Sequence, residues 1–187
     1  GTTDQIRSKY KGLRELDLQR APVYPAFNDA HAHFIQVAQG LRHVDLRGCL
    51  SIEEVIDRLQ KHYQLYSPAF LVGDGWDQTL WENKVLPSNE LLNRAFPDIP
   101  VYLRRVDFHA LWVNDKAIEL AGLRPGDSGI APGEAIMTAS GKFTGVFLEN
   151  TYERINATIP SMTNSALTEC ILEAQELCFS YGLGSVS

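Results

Sequence analysis

Residues 27–34 read Phe27-Asn28-Asp29-Ala30-His31-Ala32-His33-Phe34. In an extended strand, side chains two apart leave the same face, so Asp29, His31 and His33 are expected to project together. Two imidazoles on one side at that spacing can bind one divalent metal through their ring nitrogens. A neighbouring carboxylate then orients one of the rings or ligates directly. The plainer alternative is a pair of histidines on a surface strand, or on the loop after it. The small Ala30 and Ala32 and the apolar Phe27 and Phe34 favour a packed setting. A lone His-x-His triplet decides little, so the rest of the chain must carry the argument.

The chain has 187 residues, enough for one domain but short of the roughly 250 that a complete (β/α)₈ barrel needs. Its formal net charge of -6 is the wrong sign for a general nucleic-acid binder. No apolar run approaches the ~18 residues that cross a bilayer. The three cysteines, Cys49, Cys170 and Cys178, are odd in number and form no Cys-x-x-Cys pair. A disulfide framework or a cysteine-rich zinc site is therefore not expected, and a reducing cytoplasm is the default setting. The sequence opens Gly1-Thr2-Thr3 and closes Gly182-Leu183-Gly184-Ser185-Val186-Ser187, a helix stop followed by the start of a strand. The expectation is a fragment of a longer protein.

Working outward, Val23 to Phe34 reads as an extended segment entering a loop. Ser51-Ile52-Glu53-Glu54 is a capping box, and Ile52, Val55, Ile56, Leu59 and Tyr63 recur at helical spacing, predicting a helix over 52–65. Phe70-Leu71-Val72 reads as a short buried strand closed by Gly73-Asp74-Gly75. Ser88 is placed to cap a short helix to about Ala95. Val101 to Val106 has strand composition. Asn114 is placed to cap a helix ending near Gly122. Residues 135–138 and 143–148 flank Ser140-Gly141 as a β-hairpin. Leu167, Cys170, Ile171, Ala174, Leu177, Cys178 and Tyr181 mark one stripe of a last helix, started by Ser161 or Thr163. The class is α/β with an α+β portion.

Three further groups hold chemistry-bearing side chains. Gly75-Trp76-Asp77-Gln78 and Trp81 can form a pocket wall with polar handles, or a surface loop pinned by tryptophan packing, which composition favours. Arg104, Arg105, Asp107 and His109 lie within six residues. They can grip a substrate carboxylate or donate to a carbonyl, although a structural ion-pair network is commoner. Glu149, after the strand Val146-Phe147-Leu148, is either a ligand or a solvated strand end. His43 and His62 show no partner in the sequence and read as ordinary. A phosphate-binding glycine loop, a dinucleotide fingerprint and a serine-hydrolase elbow are all missing.

Taken in order, Pro25-Ala26-Phe27-Asn28-Asp29-Ala30-His31-Ala32-His33, Val44-Asp45-Leu46-Arg47-Gly48-Cys49, Gly75-Trp76-Asp77-Gln78, Tyr102-Leu103-Arg104-Arg105-Val106-Asp107 with His109, Trp112-Val113-Asn114 and Thr144-Gly145-Val146-Phe147-Leu148-Glu149-Asn150 resemble the amidohydrolase superfamily. The nearer match is its family 3, which takes in YtcJ-like and formamide deformylase-like metal-dependent hydrolases. The resemblance runs from about residue 22 to the end.

It implies a metal-dependent TIM barrel, of which this chain would form an incomplete part. Residues 1–39 would supply an N-terminal segment and the first barrel strand with the His-x-His pair. Residues 40–160 would be an inserted α+β domain, and 161–187 a helix returning to the next barrel strand. It also implies hydrolysis of an amide or other C–N bond in a small molecule, with metal-activated water. His31 and His33 would bind the metal, zinc by preference and one or two ions in all, with Asp29 in support. Trp76, Asp77, Arg104, Arg105, Asp107, His109 and Glu149 would shape the substrate pocket. The remaining ligands and the catalytic base would lie beyond Ser187, leaving the fragment inactive. Phe108 stands where relatives commonly carry glycine, which would narrow the pocket. Unpaired strand edges would favour self-association. The rival expectation is a non-catalytic α+β module that holds a small ligand with its tryptophan loop.

Overall fold

The computed structural model describes residues 2–12 and 14–187. A short exposed helix, α1 (Thr3–Lys9), opens the chain under a Thr2–Gln5 capping box. Then follow β1 (Phe27–Asp29), α2 (Phe34–Gly40), β2 (Val44–Asp45), α3 (Ile52–Tyr66) and β3 (Leu71–Trp76). After a 3₁₀ turn at Gln78–Leu80 come α4 (Glu90–Ala95), β4 (Val101–Arg105), β5 (Ala110–Val113) and α5 (Asp115–Leu120). The chain closes with β6 (Ala135–Met137), β7 (Phe143–Leu148), α6 (Glu149–Asn156), α7 (Asn164–Ser180) and β8 (Leu183–Val186).

Six strands form one mixed sheet in the order β2-β3-β4-β5-β7-β6. β2, β3 and β4 run parallel, and β5, β7 and β6 alternate in direction beyond them. The two-residue periodicity of its strands sorts side chains onto two covered faces. Val101 and Leu103 of β4, with Trp112 of β5, join Val55, Leu59 and Leu92 from α3 and α4. Tyr102, Leu111, Val113 and Phe147 point the other way and pack on Ile118, Tyr152 and Ile155 from α5 and α6. The sheet is thus the middle of three layers.

β1 and β8 form a separate parallel pair. α2 and α7 pack together beside it, burying Ala38, Cys170 and Ala174. Arg42 at the end of α2 makes a two-pronged ion pair with Glu173 of α7 at 2.6 Å.

Several elements differ from the sequence expectation. The strand expected at 70–72 runs instead through the glycines to Trp76. Gly73 lets Leu46 and Leu103 close on the backbone, where a Cβ would stand 2.8 Å from Leu46 Cδ1. Gly75, at φ +95°, absorbs a register shift between Asp74 and Trp76. The helix expected from Ser88 has Asn89 at its cap position, with no side-chain cap bond. The long extended segment at 23–34 reduces to three strand residues. No helix among the described residues is long and apolar enough to cross a membrane.

Candidate functional site

The strand carrying the histidines ends at Asp29, and the chain then turns. Asp29 Oδ1 accepts the His31 backbone N–H at 3.1 Å, a local bond that replaces strand pairing with a bend. The turn is also tied to the end of β8: Ser187 N–H donates to Asp29 O, and Ala32 N–H donates to Ser187 O. His33 follows at the N-terminal boundary of α2, with no side-chain cap bond of its own. Strand alternation therefore does not align the two rings; the bend does. Their centroids lie 5.5 Å apart with the planes at 88°, and both residues are exposed.

Two imidazoles that share one ion through bonds of ~2.1 Å place their ring centroids about 5 Å apart. The observed centroid separation is close to that spacing. Among the described residues, no grouping of three or more His, Cys, Asp or Glu side chains completes such a set.

The other sequence candidates fall into three places. Trp76 is fully buried and donates its indole N–H to Leu103 O at 2.8 Å. Its ring centroid is 6.0 Å from those of both Trp81 and Trp112, so the tryptophans pin the core and offer no wall to a ligand. Asp77 caps the 3₁₀ turn, accepting from the Thr79 N–H and hydroxyl.

Arg105, Asp107, His109 and Glu149 gather where the β4–β5 turn meets the end of β7. Arg105 holds Asp107 in a two-pronged ion pair, and the His109 backbone N–H donates to Asp107 Oδ1 at 3.0 Å. The hydrogen bond from Arg105 lowers the Asp107 pKa to about 2. His109 Nδ1 stands 3.6 Å from Glu149 Oε1, which is close enough for attraction but too long for a hydrogen bond. Glu149 itself sits at φ +48°, an uncommon setting for a residue with a side chain. Behind it, Glu134 accepts from Asn150 Nδ2 and the Thr151 hydroxyl, at 2.9 and 2.7 Å, and ties down the start of α6.

Arg104 belongs to neither group. Being one residue from Arg105, it leaves the opposite face of the sheet and meets Asp74 at 3.2 Å. Asp74 also binds His43 Nδ1 at 2.6 Å, and Arg104 Nε donates to Asn156 Oδ1. Burial pushes the Asp74 pKa up. The hydrogen bond and charge of His43, together with Arg104, outweigh burial and leave it below the usual carboxylate range. His62 is nearby, its pKa lowered first by burial and then by His43.

These side chains face an open cleft of about 1240 Å³ between the β3 side of the sheet and the α2–α7 pair. His31 and His33 do not line it. Sequence reading missed His43, Asp74 and Asn156. The available signal was Asp74 itself: a carboxylate inside a buried strand demands a partner.

The amidohydrolase family profile matches residues 14–187 of this chain. YtcJ of Bacillus subtilis is 27% identical over 98% of the chain and 35% of its own length. The N-substituted formamide deformylase of Arthrobacter pascens is 28% identical over 80% of the chain and 28% of its own length. A crystal structure of a metal-dependent hydrolase from Pyrococcus horikoshii superposes with a TM-score of 0.63 at 32% identity, covering 87% of this chain and 30% of that one. A Pyrococcus furiosus counterpart gives 0.62 at 30% identity, with 31% of its chain covered. The chain spans about a third of the length of these relatives.

Proposed function

Since this chain belongs to the amidohydrolase family, we propose that it contributes His31 and His33 to the divalent-metal site of a hydrolase that cleaves an amide or other C–N bond. The observation that supports this reading is the imidazole pair held 5.5 Å apart by the Asp29 bend. Nitrogen donors of this kind suit zinc. When bound, the metal supplies Lewis-acid polarisation of a carbonyl and a water of lowered pKa.

The chain's own residues do the rest of what falls to them. Asp29 fixes the backbone on which both rings stand. The rim of Arg105, Asp107, His109 and Glu149 shapes a pocket for a small-molecule substrate. Within it, the Arg105 ion pair keeps Asp107 ionised, so the carboxylate orients the turn carrying His109. Asp77, one of the charges acting on Arg105, steadies that rim, and Trp76 supports it from the core. In this reading β1 and β8 are the first two strands of a TIM barrel, with residues 40–160 inserted between them. Further ligands and the general base lie in the part of the relatives that this chain does not cover. The chain alone is inactive and associates through its open edges.

The test is zinc titration and hydrolysis of a panel of N-acyl and N-formyl substrates. It compares the full-length protein with its His31→Ala, His33→Ala double variant. Loss of both metal and activity is expected; equal metal content and activity would overturn the proposal.

A further inference from the structure

The sheet wall of the cleft sets two positive partners against one carboxylate. Asp74 and Arg104 are register partners on β3 and β4, so their side chains leave the same face side by side. His43, from the bend between α2 and β2, meets one Asp74 oxygen through Nδ1 at 2.6 Å, and Arg104 Nη1 donates to the other at 3.2 Å. His62 adds no fixed charge, because burial and then the charge of His43 lower its pKa. On the α2–α7 side the charges cancel, since Arg42 and Glu173 hold each other in a two-pronged pair. The cleft therefore keeps a positive charge in excess.

The same network leaves donors open. Arg104 Nε donates to Asn156 and Nη1 to Asp74, which leaves guanidinium N–H groups to spare. Among the described residues, the Asn156 amide NH₂ and the second ring nitrogen of His43 have no hydrogen-bond partner. The side chains of Arg104 and His43 are only 17% and 16% exposed, so an anion that reaches them meets little screening. Beside this charged rung the wall turns apolar. Val72, two residues before Asp74, leaves the sheet on the same face, with Phe70 two residues further back, and both line the cleft.

We propose that this cleft binds a small organic monoanion, a carboxylate carried on an apolar body. Arg104, Asn156 and His43 take the carboxylate, and Val72 and Phe70 take the body. One surplus positive charge matches one carboxylate; a dianion would leave a negative charge without a partner beside Asp74. His31 and His33 do not line the cleft, so the inference goes beyond the metal reading and does not rest on it.

The test is a ligand-observed NMR titration of the full-length protein with hexanoate at about pH 5.5, where histidines are ordinarily protonated. Hexanoate should bind about tenfold tighter than hexanamide, its uncharged counterpart, the size of one charge-assisted hydrogen bond. It should also bind tighter than sulfate, a dianion without an apolar body. Arg104→Gln should weaken hexanoate about tenfold. Asp74→Asn should tighten hexanoate about fivefold, because it removes the competing negative charge, and leave hexanamide unchanged. A purely structural network would instead lose affinity in both variants. The proposal is overturned by no saturable hexanoate binding, by equal affinity for hexanoate and hexanamide, or by tighter sulfate. An unchanged affinity in Arg104→Gln, or no tightening in Asp74→Asn, also overturns it. If a variant does not fold, the ligand comparison on the unmodified protein decides. The His31→Ala, His33→Ala variant should bind hexanoate as the unmodified protein does; a loss there would assign the carboxylate to the metal and overturn the cleft site. Failure in the cleft leaves the histidine reading intact, because neither imidazole lines it.

Discussion

The six-stranded sheet buries Trp76, Trp112, Tyr102 and Phe147 between helices on both faces. The β1–β8 pair, with α2 and α7, fully buries only Ala38, Cys170 and Ala174. It leaves Phe27, Ile35, Val37, Phe179 and Tyr181 largely exposed. Stability therefore resides in one region, while the imidazole pair sits in the other. Apolar burial scales with area removed from water, so the histidine-bearing region draws little on its own core. What it does possess is local geometry: the Asp29 bend, the Ser187 bonds and the Arg42–Glu173 ion pair.

That contrast can be broken most sharply by truncating one large side chain in each region. Trp112→Ala should cost about 3–5 kcal/mol in urea unfolding, as a fully buried aromatic does. Leu177→Ala on α7, partly exposed, should cost under about 1 kcal/mol. Equal losses would mean that the two regions share one core.

A smaller effect sharpens the account of the sheet. Asn114 is buried and satisfies four backbone groups: its oxygen accepts from the N–H groups of Val101 and Ala117, and its amide donates to the carbonyls of Phe96 and Ile99. Asn114→Ala should destabilise by about 2–3 kcal/mol, because several buried groups lose their partner at once. A loss below about 0.5 kcal/mol would show that water replaces the amide.

The smallest effect concerns the rim. Asp107 has a folded pKa of about 2 against an ordinary 3.8. A depressed carboxylate adds stability that is fully present above the unfolded pKa and lost as pH falls through the folded one. The window is therefore roughly pH 4 to 2. Its side chain is 42% exposed, so solvent screening reduces the contribution to a few tenths of a kcal/mol. Acid titration of stability should show this loss in the native chain and a flatter profile in Asp107→Asn. Identical profiles would contradict the assignment.

Much of the sheet region was legible in the sequence because its signals are local. Ser51 caps α3 through the Glu54 N–H, Asn114 caps α5, and Thr163 caps α7 through the Ala166 N–H. The hairpin at 135–148 also formed as its turn residues suggest. Other elements depended on packing that periodicity does not record. β5, at Ala110–Val113, reads as a plain apolar run, and α6 begins at a left-handed Glu149 that no propensity favours. The pairing of His43 with Asp74 spans 31 residues and has no sequence period at all. The spacing of His31 and His33 was legible, but the Asx bend that brings their rings together was not, because a strand and a turn share the same triplet.

The central claim is that His31 and His33 share one ion. The most direct measurement is ¹⁵N NMR of the histidine rings while zinc is added to the chain. The account predicts that the His31 and His33 ring nitrogens shift together along one binding curve, ahead of His43, His62 and His109. Shifts that begin at the other three histidines, or separate curves for positions 31 and 33, would contradict it.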